Sequence, residues 1–214
     1  MGEIILVRHG QANSGATDEE SYDKLSDLGH QQARWLGDYL RDREAPFDKV
    51  ISGSLRRHRE TATGIGYDAP LIDPRLNEMD YFNLGQALHD VHGVPFPGPE
   101  DFAAHVPQVM EAWHRAEIKG VETFASFEDR VTSVLQEAAQ PGVRVLCVTS
   151  GGVIGMIIRH LLDLDPTRMA HVLLPIMNSS VHRVHVIPQG PILASFNAIP
   201  HLDQADRAHA KTHY

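Results

Sequence analysis

The chain has one cysteine, Cys147, in 214 residues. That excludes an internal disulfide, and without further thiols there is no Cys cluster for structural zinc. A reducing, cytoplasmic setting is the expectation. Long apolar runs are missing as well: the N-terminal stretch Ile4-Ile5-Leu6-Val7 falls far short of a signal-peptide core or a membrane span. Residue 6 is Leu where a myristoylation motif needs Ser or Thr. Basic residues are in deficit, with 19 Lys and Arg against 28 Asp and Glu, a formal net charge of −9. Nucleic-acid and anionic-membrane partners both require basic patches, so neither is expected. An anionic ligand would have to be drawn by local arginines and not by the overall field. No repeat of solenoid period is present.

What is there is the composition of a globular enzyme-sized chain. With 42% hydrophobic and 22% charged residues it can bury a core, and one domain over residues 1–214 is expected. Ile4 to Val7 reads as a buried parallel strand ending in Arg8-His9-Gly10, and ligands of open α/β sheets sit at such C-terminal strand ends. Leu28, Ala33, Leu36 and Leu40 recur at helical spacing from Ser26 to about Arg43. Val50-Ile51 predicts a short strand, Ser52-Gly53-Ser54 a turn, and a helix follows from about Leu55 to Ile65. Between about 74 and 125 the periodicity weakens and Pro95-Phe96-Pro97-Gly98-Pro99 intervenes. That stretch reads as a lid-like insertion holding a helix near Phe102 to Ile118. A helix from Phe127 to Ala139, a strand from Val143 to Thr149, a helix from Val153 to Leu162 and strands over Val181–Ile187 and Ile192–Phe196 complete the pattern. Alternating strands and helices imply a three-layer α/β/α sandwich around a mostly parallel sheet. The polar stretch from Asp203 to Tyr214 is expected to be a surface helix or a frayed end.

Chemistry concentrates at Arg8-His9-Gly10. A guanidinium can pair two phosphate oxygens while a neutral imidazole offers a nitrogen nucleophile. Arg57 falls in the first turn of its helix, where the dipole and free amides also favour an anion. Its neighbours Arg56 and Arg59 read as solvated helix charges, and His58, on a face with Leu55 and Ala62, as a packed histidine. Two other nucleophile motifs fail on spacing. Cys147 is followed six residues later by Val153 where a cysteine phosphatase needs Arg, and Val148 stands two residues before Ser150 where a serine-hydrolase elbow needs Gly. Cys147 is thus expected in the core. His209 and His213 have i,i+4 spacing but no intervening Glu or third ligand, so they are not expected to hold a metal.

The segments Leu6-Val7-Arg8-His9-Gly10-Gln11-Ala12, Leu25 to Ala33, Ser52 to Ala62, Leu76-Asn77-Glu78, Glu122-Thr123-Phe124 with Phe127 and Arg130, and Val148-Thr149-Ser150-Gly151-Gly152 resemble, in order, the histidine phosphatase superfamily, also called phosphoglycerate mutase-like. The resemblance implies a metal-independent phosphoric monoester hydrolase of histidine acid phosphatase type, without cofactor, acting on a small phosphorylated substrate or a phosphoprotein. It makes His9 the phosphoacceptor, Arg8 and Arg57 the phosphate clamps, and Glu78 the general acid, with Asp80 two residues on as the fallback. A carboxyl in an anion pocket has reason to keep its proton, since neighbouring negative charge raises its pKa. The chain departs from the family at Ser150, where members usually carry a second histidine. Ser150 keeps a shorter, neutral donor, and with the Gly151 amide it would still meet the phosphate. The departure leaves open a non-catalytic phosphate-binding or scaffold protein. Mutase activity is disfavoured, because the glycolytic mutases bear Asn six residues after the nucleophile and this chain has Gly15.

Overall fold

The computed structural model describes every residue except Ser14, Thr17, Pro99 and Tyr214. The end of the proline run and the last tail residue therefore lie outside the described residues. Six strands form one sheet: β1 Gly2–Arg8, β2 Lys49–Ser52, β3 Leu71–Ile72, β4 Arg144–Thr149, β5 Val181–Ile187 and β6 Gly190–Ala198. Their order is β3-β2-β4-β1-β5-β6. The β3-β2, β2-β4 and β4-β1 pairings are parallel, and β5 and β6 close one side in antiparallel register. Eight α-helices accompany them among the described residues: α1 Glu19–Tyr22, α2 Asp27–Arg43, α3 Arg56–Ile65, α4 Tyr81–His92, α5 Phe102–His114, α6 Phe124–Ala138, α7 Gly151–Leu162 and α8 Pro166–Leu173.

Strand alternation builds the three layers. In β1, Ile4 and Leu6 join one apolar cluster while Ile5 and Val7 join another. β4 divides the same way, Val145 and Cys147 to the first, Leu146 and Val148 to the second. Successive side chains of a strand face opposite ways, so each central strand feeds both helical layers. The first cluster takes in α4 to α8 through Leu84, Val109, Met110, Phe127 and Ile157; the second takes in α2 and α3 through Leu36, Leu40, Ala62 and Ile65. Residues of the stretch from 74 to 125 contribute to the core, with Trp113 and Met110 fully buried. α4, α1 and α8 have no counterpart in the sequence expectations, and α5 stops at His114 just before Ala116, whose φ of 58° breaks the helix.

The C-terminal tail also differs from expectation. Residues 205–210 form a 3₁₀ helix, and Asn178 N donates to the Thr212 carbonyl at 2.8 Å while Gln32 Nε2 reaches the Ala210 carbonyl at 2.8 Å. The tail is a strap over the buried Gln32, neither surface helix nor frayed end. His209 stacks edge-on against Trp35, and its i,i+4 relation to His213 is not helical. No helix is long and apolar enough to cross a membrane among the described residues.

Candidate active site

Parallel pairing of β1, β4 and β2 brings three strand ends to one edge, with Arg8 opposite Thr149 and Ser52 opposite Val148. The residues that follow, His9, Ser150 and Gly53, are therefore neighbours, and α3 brings Arg57 and His58 over them. His9 is 2% exposed. Its Nδ1 lies 2.7 Å from its neighbour Gly10's carbonyl, which can only accept, so Nδ1 carries the proton and Nε2 the lone pair. Burial, then Arg57, Arg8 and His58, push the His9 pKa well below the ordinary histidine value. The imidazole is held neutral, as a nucleophile must be.

Arg57 has no exposed surface. Its Nη1 donates to Glu19 Oε1 at 2.7 Å and Asp23 Oδ1 at 3.1 Å, and its guanidinium lies 4.9 Å from the Tyr22 ring centre. Burial alone would lower its pKa, but Glu19 above all raises it. Arg8 reaches the carbonyls of Ile176 and His213 through Nη1. Arg57 Nε, Arg57 Nη2 and Arg8 Nε are buried without a partner. Buried guanidinium donors left open beside a neutral imidazole suit an anion with several oxygens. Tyr22 faces His9 edge-on at 6.4 Å, so the end of α1 lies beside the imidazole. Burial raises the pKa of Glu19, against the pull of Arg57. The α3 amides are taken too: Arg56 N and Arg57 N donate to the Asp23 carboxylate at 2.9 and 3.1 Å, so the anion at this helix terminus is the protein's own.

Glu78 is half-buried beside the same edge. Its Oε2 accepts from Gly152 N and its Oε1 from Met79 N, each at 3.0 Å. A Cβ on Gly152 would come within 2.1 Å of Glu78 Oε1, so only glycine admits the carboxylate there. Arg130, paired with Glu122 at 2.6 Å, holds the carbonyls of Arg75 and Asn77 at 2.7 and 2.8 Å, and Asn77 is hydrogen-bonded to Ser54. These residues shape the loop that presents Glu78. Asp80, the fallback acid, is the N-cap of α4, accepting from Asn83 N at 3.2 Å. Gly151 packs near Arg8, a Cβ there lying 3.7 Å from Arg8 Nε. Ser150 is fully buried, and its hydroxyl lies 2.6 Å from His58 Nε2. His58 is packed as the sequence suggests, but its polar edge faces the site; helical spacing gave its face and not its partner. Glu19, Tyr22 and Asp23 also escaped sequence reading, because no periodicity marks so short a helix. Cys147 is buried, its thiol pushed up to about 12 by burial.

A groove of about 370 Å³ opens beside Glu78, lined also by Glu19, Leu55, Asn77, Met79 and Asp80. The larger cleft of about 580 Å³, along Glu111, His114 and Asp165 to His171, includes none of the residues around His9. No group of three or more His, Cys, Asp and Glu that could hold a metal ion occurs among the described residues.

Sheet and site together define a class: an α/β protein whose parallel strand ends present a neutral histidine between two buried arginines. The particular family follows from comparison. A model of the histidine phosphatase superfamily (branch 1) matches residues 4–199, and the chain belongs to that family. It is 31% identical over 176 residues to the adenosylcobalamin/alpha-ribazole phosphatase of Salmonella typhimurium, covering 78% of this chain and 83% of that one. It is 39% identical over 97 residues to the mitochondrial serine/threonine-protein phosphatase Pgam5 of Drosophila grimshawi, covering 44% of this chain and 29% of that one. Among solved structures, a phosphoserine phosphatase from Entamoeba histolytica superposes with a TM-score of 0.70 at 22% identity, covering 94% of this chain and all of that one.

Proposed function

We propose that this protein is a phosphomonoesterase that works through a phosphohistidine on His9. The observation that carries the reading is the neutral His9 imidazole, Nδ1 tied to Gly10, set beside guanidinium N–H groups that lack partners. In the first step Nε2 attacks phosphorus, the bond to the leaving oxygen breaks, and Glu78 gives that oxygen a proton. Arg8 and Arg57 hold the equatorial oxygens, whose charge they match through charge-assisted hydrogen bonds. In the second step Glu78 takes a proton from water as its oxygen bonds to phosphorus, and the P–N bond breaks to restore His9. No step draws on a metal or cofactor. The family's phosphatases support hydrolysis over phosphoryl transfer between substrates, and the groove beside Glu78 is where a leaving group, small or peptidic, would lie.

Rapid acid-free quenching of enzyme with radiolabelled substrate is expected to trap label on His9. His9→Ala should lose both label and turnover while its circular dichroism stays that of the wild type, since His9 sits at a strand end and not in an apolar cluster. Turnover at the wild-type rate by His9→Ala would end the mechanism. Tight vanadate binding by a wild-type protein that never forms phosphohistidine would instead favour a phosphate-binding protein without turnover.

A further inference from the structure

Ser150 occupies the N-cap of α7, where a serine hydroxyl ordinarily accepts from an amide of the first turn. It makes no such bond. The Gly152 amide goes to Glu78 instead, and the Ser150 hydroxyl lies 2.6 Å from His58 Nε2. Both residues are without exposed surface. His58 is neutral, burial and then Arg57 pushing its pKa well below the ordinary value. A neutral imidazole has one N–H, and its place follows from the surroundings. Nδ1 is buried with no partner, against Gly53, where a Cβ would lie only 2.1 Å away. A proton there would be an orphaned donor, which costs more than an unfilled lone pair. The proton therefore belongs on Nε2, which donates to Ser150 Oγ. The hydroxyl keeps its own hydrogen, and it makes no further hydrogen bond among the described residues. The ring centre of His58 is 5.8 Å from that of His9, and Arg8 Nε, Arg57 Nε and Arg57 Nη2 of the same site lack partners.

We propose that His58 is a positioning residue of the phosphoryl site: it holds the Ser150 hydroxyl so that its hydrogen donates to a phosphoryl oxygen, and the two side chains act as one unit. This rests on the phosphatase reading above. Gly53 belongs to the same device, because its missing side chain makes room for the ring.

The test is a double-mutant cycle on the full chain with Ser150→Ala, His58→Ala and both together, adding His58→Gln, whose amide N–H can replace Nε2–H. Affinity for orthovanadate, kcat and KM are read for each, with thermal melting to confirm folding. Each single change should lower kcat and vanadate affinity roughly ten- to hundredfold, with KM changing less than kcat. The double variant should be no worse than the weaker single, and Gln should recover most of the loss seen with Ala. If His58→Ala does not fold, the cycle runs through Gln and Ser150→Ala, and His58→Gln must then keep near wild-type vanadate affinity. Independent losses that multiply in the double variant would overturn the pairing, as would His58→Ala that melts lower but keeps wild-type kcat and vanadate affinity. A wild-type protein without turnover whose vanadate affinities still show the non-additive cycle would sink the phosphatase reading and leave this one standing.

Discussion

Arg56 and Arg57 are adjacent in sequence and opposite in circumstance. The Arg56 side chain is 59% exposed and pairs with Glu60 one helical turn on, whereas Arg57 is wholly buried with two guanidinium nitrogens unpartnered. An exposed i,i+4 pair contributes about 0.3–0.5 kcal/mol, while a charge-assisted bond in a closed site contributes about 1.5–3 kcal/mol. Arg57→Ala is expected to weaken orthovanadate binding at least about tenfold, and Arg56→Ala to leave it within about twofold. Titration calorimetry with vanadate distinguishes them; equal losses would mean the clamp is misassigned. His9 and Arg8 were legible because Arg8 ends one strand and His9 follows it directly. His58 was not, since its neighbours in the chain say only which way it faces.

At the scale of an element, α1 is the least self-sufficient part of the fold. A four-residue helix cannot persist on its own backbone bonds. It is held by the Asp18 cap on Ser21 N at 2.8 Å, by Glu19 on Arg57, and by Asp23 on the α3 amides. Those acidic groups hold donors that phosphate needs. Glu19→Gln, which removes the charge and keeps the shape, is therefore expected to tighten inhibition by inorganic phosphate several-fold. Steady-state inhibition constants check this, and a weaker constant would show that Glu19 helps the anion bind. The helices with strong apolar periodicity, α2 and α6, were readable from sequence, whereas α1 is kept in place by ion pairs made to residues over 30 positions away.

The whole molecule carries its histidines as a liability in acid. Burial lowers the His182 pKa to about 3 and the His201 pKa to about 4. In the unfolded chain both take up protons near pH 6.5, while the folded chain refuses them until far lower. The unfolded state thus binds more protons below about pH 6.5, so stability is complete above that pH and falls as the pH drops. For two such groups the loss between pH 6.5 and 5 is about 3 kcal/mol. Urea unfolding at pH 7 and pH 5 is the check, and equal stability at both would contradict the buried, neutral state of these rings. His182 lies buried in β5 opposite Leu6 of β1, and His201 is buried with its Nε2 2.8 Å from the Ser179 hydroxyl.

By itself the sequence determined five of the six strands and five of the eight α-helices of the described residues, the three layers, and the parallel strand ends that carry Arg8, His9 and Ser150. These are local matters, set by alternation, helical spacing and the turn residues after each strand. It also named Arg57 and Glu78 as candidates, through motifs whose order matches a family. Only the tertiary structure decided that Glu19, Tyr22 and Asp23 sit on the arginines, that the tail straps over Gln32, that residues 74–125 join the core, and that the Ser150 hydroxyl turns to His58. Each depends on a partner 20 to 180 residues away, and a hydrogen bond or ion pair across such a distance leaves no periodic trace in the chain, because its geometry exists only once the sheet has brought the strand ends together.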